Sequence, residues 1–464
     1  MPVTKQLSVA TTIRSAIVIG GGLAGIAAAM ALAKQGVQVA LLESRQRLGG
    51  RAGSFIVRDS QSAKQETVDY CQHVGMGCCQ NLRTLIDWLG QNDQWHTHRQ
   101  LHFFGPTGEY QRLSAWPFVP APLHLTGWLI KWPHLRLADR LSIARGLMAL
   151  SRLSLDNQTA TQSALHWLNA CHQTPRAISH FWSTIVVSAL GEELSRVSLA
   201  AVAKVLQDGF LKQRNAYHLL VPQRPLSELF GTRASECLKQ QGVEMHLAAP
   251  VVSLAQLSNQ RLHVQTTDAS FEGDAVIVAV PWHQLAKIQF VDNLSGLNSI
   301  ASNAEALPSS AITGVHTWWD RPWLSLPHAA IVGRLCQWVF PKPNWLVPIA
   351  QSSATEGANY YQIVISASRM LRGIDPDTIA SLIHDDLQQV FPAVRTARML
   401  KCKVVTDPQA VFSISPQSHQ CRAETGVSPR LAIAGDWTQT GWPATMEGAI
   451  LSGFKAAAHI VRRG

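Results

Sequence analysis

Three features are missing from this chain, and each absence narrows its class. Its eight cysteines, at positions 71, 78, 79, 171, 237, 336, 402 and 421, include no C-x-x-C pair, which argues against a zinc site and a disulfide framework. Residues 1–15 carry no apolar segment behind a basic start, so we expect no signal peptide. No nucleic-acid-binding motif is present. We therefore expect a cytoplasmic protein with reduced thiols that binds neither metal nor nucleic acid.

Charged residues are scarce, and long apolar runs are almost absent. Only 15% of the 464 residues are charged and 46% are hydrophobic, which supplies enough apolar side chain for two cores and predicts two domains. The one uncharged run long enough to span a bilayer, residues 16–33, contains four clustered glycines. It divides better into a strand and a helix. The net charge of +10 favours an anionic partner, either a membrane surface or phosphate groups.

That apolar run belongs to a βαβ pattern. Residues 15–19 predict a buried strand, residues 23–35 an Ala-rich helix, and residues 37–42 a second strand. A Gly-rich turn joins the first strand to the helix. This order of elements is typical of a dinucleotide-binding unit.

The composition of the turn suits a dinucleotide. Gly20, Gly22 and Gly25 form G-x-G-x-x-G, in which glycines let backbone N–H groups and the helix N-terminus approach a pyrophosphate. Glu43, eighteen residues after Gly25, is placed to accept hydrogen bonds from ribose hydroxyls. The alternative is a tight strand-to-helix turn without a ligand. Because both strands, the helix and the acid follow one another at the spacing of a dinucleotide-binding unit, a bound dinucleotide is favoured.

Segments near both ends of the chain distinguish FAD from other dinucleotides. After Glu43, Gly50 lets the backbone pass close to a cofactor, and Arg51 can meet phosphate charge. Near the C-terminus, a predicted strand at 430–434 leads through Gly435 and Asp436 to a predicted helix at 445–461. The Asp436 carboxylate can accept from ribityl hydroxyls, and the helix N-terminus would point at the flavin pyrimidine ring. A simple turn role for Asp436 is the alternative.

A middle segment returns the chain to the nucleotide domain. Short strands are predicted at 243–247, 251–254 and 274–280, and Val251 is our candidate for backbone contact with adenine, although sheet packing also explains these valines. The predicted FAD-binding residues are Gly20, Gly22, Leu23, Ala24, Gly25, Glu43, Gly50, Arg51, Val251, Gly435, Asp436 and Met446.

Together these segments resemble a known superfamily. GGGLAG with Glu43, GGR at 49–51, DAVIVAVP at 274–281 and GDWTQTGWPATMEGA at 435–449 are similar to the amine oxidase and phytoene desaturase superfamily of FAD enzymes. DYCQHVGMGCCQNL at 69–82 resembles its squalene-associated branch, the hydroxysqualene dehydroxylases of hopanoid biosynthesis. The resemblance covers nearly the whole length.

The resemblance implies an α/β fold that is discontinuous in sequence. A Rossmann-type FAD-binding domain of three layers, with a parallel sheet plus a β-meander, would use residues 1–90, 205–285 and 400–464. An α+β substrate-binding domain would use residues 91–204 and 286–399. Two departures from the amine oxidases argue against an amine substrate. Trp442 with Pro443 stands where those enzymes often carry a tyrosine, and their Gly-Glu turn is Gly-Asp here.

The expected substrate domain is rich in tryptophan. Trp116, Trp128 and Trp132 lie with Lys131 in segment 116–132, a composition that suits a membrane interface, although a core or pocket role is equally open. The helix predicted at 136–153 does not support a simple surface-lying model, because its arginines fall on opposite sides. Strands predicted at 312–319, 330–340 and 360–366 carry or adjoin a second aromatic set, and would form a sheet over the flavin. That set is Trp318, Trp319, Trp323, Trp338, Phe340 and Trp345.

The resemblance also implies a reaction. Hydroxysqualene, a long apolar isoprenoid alcohol, would lose its hydroxyl and gain hydride from reduced flavin to give squalene, with electrons from an external donor. His73 and then Asp69 are the candidate acids, because histidine titrates nearest neutral pH; a core hydrogen-bonding role for His73 is the alternative. We further expect association with squalene-pathway enzymes, and peripheral contact of segment 116–132 with the inner face of the cytoplasmic membrane. Carotenoid-type desaturation, amine oxidation and a non-catalytic membrane-docked scaffold are the other hypotheses.

Overall fold

The chain folds around two large sheets and three smaller ones in the computed structural model, which describes residues 13–58, 65–291, 294, 296–341 and 358–463. The strands are β1 (Ser15–Ile19), β2 (Gln38–Leu42), β3 (Ser54–Arg58), β4 (Gln65–Asp69), β5 (Gly75–Met76), β6 (Trp95–His98), β7 (Leu101–Phe104), β8 (Tyr110–Leu113), β9 (Leu219–Pro222), β10 (Glu244–His246), β11 (Val251–Gln256), β12 (Leu262–Thr266), β13 (Ser270–Gly273), β14 (Ala275–Val278), β15 (Gln289–Phe290), β16 (Ser309–Trp319), β17 (Ala329–Ile331), β18 (Trp338–Pro341), β19 (Asn359–Ser366), β20 (Met399–Phe412), β21 (Gly426–Ser428) and β22 (Leu431–Ile433).

The helices are α1 (Leu23–Ala33), α2 (Gln80–Trp88), α3 (Thr126–Lys131), α4 (Leu137–Ser151), α5 (Asn157–Ala160), α6 (Ala164–Ala170), α7 (Pro175–Ala177), α8 (Ser183–Leu190), α9 (Leu199–Leu206), α10 (Ala234–Gln240), α11 (Trp282–Leu285), α12 (Gly296–Glu305), α13 (Pro376–Val390), α14 (Ser418–Cys421) and α15 (Met446–Arg463). Within the described ranges, no helix is long and apolar enough to cross a bilayer.

The first large sheet carries the dinucleotide turn. Its strand order is β10-β2-β1-β14-β22-β21, and all neighbouring pairs except β21 with β22 are parallel. Helices α1 and α15 pack against each other beside it, with an almost entirely buried α1. Strands β1, β2, β10, β14 and β22 confirm the five predicted strands of this sheet, with ends that differ by one or two residues.

A four-stranded sheet of order β13-β12-β11-β15 lies next in the chain. Strands β11, β12 and β13 form an antiparallel meander, and β15 adds to β11 in parallel. This confirms the Rossmann-type α/β fold with a parallel sheet plus a β-meander.

The second large sheet has seven strands in the order β20-β16-β19-β18-β17-β7-β8. It corrects one prediction: residues 330–340 are not one strand but the antiparallel pair β17 and β18, because the chain turns at Gly333, whose φ is +67°. Strand β20 pairs with β16 up to Phe412, while the predicted division places residues from 400 onward in the FAD domain. The division into domains stays a prediction. Trp345 lies outside the described residues.

Two tryptophans of segment 116–132 are buried. Trp128 and Trp132 are 5% and 1% exposed, and their rings contact Phe103 and Phe181 in the larger core. Trp128 and Trp132 therefore have the core role, one of the two alternatives that the sequence left open. Trp116 alone of the three is exposed.

Candidate FAD site and active site

The glycines of the dinucleotide turn meet different surroundings. A β-carbon on Gly25 would lie 1.8 Å from the Gly20 carbonyl oxygen, and one on Gly20, whose φ is +107°, would lie 2.7 Å from the Ala279 oxygen. The fold itself therefore requires these two glycines. A β-carbon on Gly22 would meet no atom of the described residues within 4 Å, so Gly22 borders open space in this part of the structure.

That open space is lined by further predicted residues. Gly50, in the left-handed region with φ of +57°, approaches so closely that its β-carbon would lie 3.0 Å from the Gly22 Cα. Leu23 and Ala24 form the first turn of α1, where no side chain caps the free N–H groups. The open space at Gly22, next to the uncapped first turn of α1, fits a bound pyrophosphate.

Glu43 lies at the end of β2 with its carboxylate already oriented. One oxygen accepts from the Gly21 N–H at 2.6 Å, and the other accepts from the Arg45 N–H at 2.8 Å. Each carboxylate oxygen has two lone pairs, and the oxygen that faces Gly21 accepts only this one bond among the described residues, so it retains capacity for a ribose hydroxyl.

Val251 and Met446 flank this region from other parts of the chain. Hydrogen bonds from Glu43 to His246 and from Ala249 to Glu43 tie the segment before Val251 to the end of β2. Met446 begins α15 and is half-buried, and the next residue, Glu447, accepts from the first N–H groups of α2. The segment before Val251 thus lies beside Glu43, and the contacts of Val251 and Met446 with FAD stay predictions.

The two most distant motifs meet at an ion pair. Arg51 and Asp436 lie 2.6 Å apart between guanidinium nitrogen and carboxylate oxygen. Arg51 also donates to the Ala410 carbonyl at 2.7 Å and lies over the ring of Trp282. Gly435, with φ of +149°, donates its N–H to Ser452 at 2.7 Å and so ties this turn to α15.

Sequence reasoning missed Arg422, which holds the C-terminal turn together. Its buried guanidinium donates to the carbonyls of four residues of segment 436–442, including Trp437 at 3.2 Å and Trp442 at 2.8 Å. Burial lowers the pKa of Arg422 to about 10, so the side chain keeps its charge at neutral pH. No motif in the sequence marks this arginine, because its partners are backbone carbonyls.

Asp69 is fixed at the end of β4. Its carboxylate accepts from the Ser54 hydroxyl at 2.6 Å and from the Leu226 N–H at 2.9 Å, and the residue is 4% exposed. Burial raises the pKa of Asp69 to about 7 despite these two bonds. These contacts favour a bracing role between β4 and the segment that begins at Leu226.

His73 has a defined tautomer. Its Nδ1 lies 2.9 Å from the Cys71 carbonyl oxygen, which can only accept, so Nδ1 carries the proton and Nε2 keeps its lone pair. Burial lowers the pKa of His73, although the residue keeps partial exposure. Among the described residues, its Nε2 has no hydrogen-bond partner.

Residues 69–73 lie against the seven-stranded sheet. Gly314 in β16 leaves room for them, since its β-carbon would lie 2.6 Å from the Tyr70 carbonyl oxygen, and Gln362 donates to the Asp69 carbonyl at 3.1 Å. Val364 pairs with Gly314 on one side and Trp338 on the other. Val364 and Trp338 are half-exposed within a sheet, so this apolar row borders the space near residues 69–73.

The fold and this geometry define a class. A parallel sheet with an open glycine turn, an acid after β2 and a distant Gly-Asp turn that meets Arg51 form the dinucleotide-binding half of an FAD-dependent oxidoreductase. No group of three or more His, Cys, Asp or Glu side chains in the described part of the chain is arranged to hold a metal ion.

Comparison with known families identifies the chain further. The model of the flavin containing amine oxidoreductase family matches residues 23–461, so the chain belongs to that family and its cofactor is FAD. Solved structures show the same fold: cyclohexylamine oxidase from Brevibacterium oxydans has a TM-score of 0.67 at 16% identity, covering 97% of this chain and 99% of that one. An oxidoreductase from Methanosarcina mazei has a TM-score of 0.69 at 15% identity, covering 95% and 99%.

Curated relatives are similar over nearly the full chain. Hydroxysqualene dehydroxylases from Sinorhizobium fredii and Zymomonas mobilis are each 24% identical, covering 95% of this chain and 96% and 97% of their own lengths. The 15-cis-phytoene desaturase of Arabidopsis thaliana is 23% identical, covering 96% of this chain and 80% of its own length.

Proposed function

We propose that this protein replaces the allylic hydroxyl of hydroxysqualene with hydrogen and so forms squalene. The observation that carries the proposal is length: the hydroxysqualene dehydroxylases align with this chain nearly end to end, whereas about a fifth of the Arabidopsis desaturase has no counterpart here. The apolar row of Trp338 and Val364 supports it, because a long isoprenoid needs an apolar wall.

The chemistry divides between cofactor and protein. Reduced FAD, when bound, supplies a hydride, so that a C–H bond replaces the C–O bond and the hydroxyl leaves with one proton as water. The protein must position the reacting carbon, provide that proton and exclude bulk water. The chain shows no second dinucleotide motif, so we propose an external electron donor.

His73 is the proposed proton donor, ahead of Asp69. Its Nε2 makes no hydrogen bond among the described residues, whereas the Asp69 carboxylate already accepts from Ser54 and Leu226. Its lowered pKa makes protonated His73 a stronger acid than free histidine, at the cost of a smaller protonated fraction at neutral pH.

Desaturation is the second candidate, because phytoene desaturases match the chain at almost the same identity. That reaction runs in the oxidising direction and needs an electron acceptor. Electron flow therefore separates the two functions.

The test is anaerobic product analysis with the FAD-loaded, chemically reduced protein. Incubation with hydroxysqualene should yield squalene, one molecule for each reduced flavin, and oxidised protein should yield none. Formation of new conjugated double bonds from phytoene with a quinone acceptor, without squalene in the first assay, would establish desaturation instead.

We also propose a place for the protein in the cell. The substrate is a bilayer-soluble alcohol, so a cytoplasmic protein held peripherally at the inner face of the membrane through segment 116–132, near squalene-pathway enzymes, would meet it. Co-purification of FAD-loaded protein with membranes from its native cells, and its release by high salt, would test this location.

A further inference from the structure

Exposed apolar side chains concentrate in one stretch of the chain. Eight of the sixteen large apolar side chains that are exposed among the described residues lie between Trp116 and Leu155. Phe118 is fully exposed, and Leu137 is 70% exposed. A set of this kind is typical of an interaction site.

Helix α4 carries the centre of this set. Ile143 and Leu150 face the core, and Leu137, Leu141 and Met148 form an exposed stripe on the opposite side of the helix. At about 100° per residue, these three side chains fall within about 40° of one another. A contiguous exposed stripe, unlike scattered apolar residues, is typical of a surface that binds a protein or a membrane.

Arginines flank the stripe on both sides. At the same angular spacing, Arg136 and Arg140 lie on one flank and Arg145 and Arg152 on the other. From the sequence alone, arginines on two sides of the helix argued against a helix that lies on a membrane surface, because the exposed side was not known. With an apolar stripe between the flanks, the exposed Arg136, Arg145 and Arg152 can reach lipid phosphates while the stripe enters the bilayer. Arg140 is half-buried and donates to the Trp132 carbonyl. Asp139, the one acid of α4, is 4% exposed and does not oppose this arrangement.

Phe118 projects from a braced loop. Arg214 donates to the carbonyls of Trp116 and Val119, so the backbone on both sides of Phe118 is held. Phe118 has a φ of +60°, which is rare for an aromatic residue, and its side chain is fully exposed among the residues that the structure describes. A loop whose backbone is held so that it exposes an aromatic side chain is typical of an anchor that inserts into another surface.

Contacts connect this loop to α4. The Trp116 ring lies so close to Gly127 that a β-carbon there would be 2.2 Å from Trp116 Cε2. Gly127 belongs to α3, which also exposes Ile130, and Arg140 of α4 donates to the Trp132 carbonyl at 2.8 Å just after α3 ends. Loop, α3 and α4 are therefore joined in a single patch, which we call the 116–155 surface.

We propose that the 116–155 surface docks this protein on a bilayer that contains anionic lipids, with the α4 stripe as its centre. The proposal extends the predicted contact at 116–132 to a helix that sequence reasoning had set aside. It deepens the proposed function, since an enzyme for a bilayer-soluble alcohol gains access to its substrate by docking. Arginine flanks without an exposed acid on α4 favour anionic lipid over a protein partner.

Vesicle flotation of the FAD-loaded protein tests the proposal without turnover. Vesicles of phosphatidylcholine with phosphatidylglycerol should bind the protein more tightly than phosphatidylcholine alone. The double variant Leu137→Ser with Leu141→Ser should bind at least about tenfold more weakly, because full burial of one leucine already accounts for about that factor. The matched control, Leu382→Ser on the exposed side of α13, should bind like the wild type.

A charge variant tests the flanks. Arg145→Gln with Arg152→Gln should weaken binding to anionic vesicles by about fivefold per arginine and change binding to phosphatidylcholine little. Wild-type binding by the leucine double variant would overturn the proposal, as would failure of the wild type to bind either vesicle. A lipid-free dimer that the leucine variant dissociates would also overturn it, by making the surface a contact between two copies. None of these results bears on product formation from detergent-dispersed substrate, so the two proposals fail separately.

Discussion

The substitution Gly22→Ala should weaken FAD binding while leaving the stability of the fold almost unchanged. Gly22 has φ of −74° and extended backbone, which alanine also adopts, and its β-carbon would meet no atom of the described ranges within 4 Å. The new methyl group would instead enter the space where the pyrophosphate is predicted to lie. Gly20 and Gly25 offer no such separation, because β-carbons there collide with backbone.

The expected magnitudes follow from these surroundings. For unfolding, alanine restricts the unfolded chain, which stabilises by about 0.4–1 kcal/mol. It is also a poorer N-cap residue than glycine, which offsets part of this gain, so the free energy of unfolding should change by less than about 1 kcal/mol. For FAD, a methyl group in a close-packed contact costs about 1–3 kcal/mol. The Kd for FAD should therefore rise by about five- to 150-fold.

Two measurements on the same samples check this. Deflavinated protein is titrated with FAD by flavin fluorescence, and its thermal unfolding is recorded without FAD. Gly296→Ala is the matched control, because its β-carbon also meets nothing within 4 Å and it lies in α12, away from the turn. Wild-type FAD affinity in Gly22→Ala would refute the assignment of this turn as the phosphate site, and equal losses in both variants would show a general folding effect.

The remaining predictions concern stability and pH. Glu192→Gln should lower the free energy of unfolding by about 3 kcal/mol in urea titration, because Glu192 is fully buried and bonded by both oxygens to Arg369 at 2.7 Å; an unchanged midpoint would contradict this. Asp69 has a folded pKa of about 7 against 3.8 in the unfolded chain, so the wild type should lose stability relative to Asp69→Asn as pH rises from 4 to 7 in thermal unfolding, and a constant difference would argue against the burial effect. Because burial lowers the pKa of His73, the rate of squalene formation should keep rising as pH falls below 6.5, and His73→Gln should abolish that rise; the same pH profile in both would exclude His73 as the acid.

Local patterns predicted the dinucleotide half well. The strand, turn and helix of residues 15–33 are read from neighbours in sequence, and the structure places them within two residues of expectation. The hairpin of β17 and β18 was predicted as one strand, because apolar residues alternate through the turn as they would in a single strand. Gly333 lies where the chain reverses.

Burial and long-range pairing could not be read in the same way. The tryptophans at 128 and 132 suit an interface by composition, and only the packing of Phe103 and Phe181 shows that they are core. The sequence also could not show which side of α4 is exposed. An exposed apolar stripe gives the same residue pattern as a buried one until the position of the core is known. Arg422 donates to backbone carbonyls, which leave no trace in residue type.

Flavin absorbance during a single turnover tests the central claim most directly. The FAD-loaded protein is reduced without excess reductant and mixed with hydroxysqualene in the absence of oxygen. The account predicts that the absorbance of oxidised flavin returns and that one squalene forms for each flavin re-oxidised. Flavin that stays reduced in the presence of hydroxysqualene, while oxidised protein is reduced by phytoene, would contradict it.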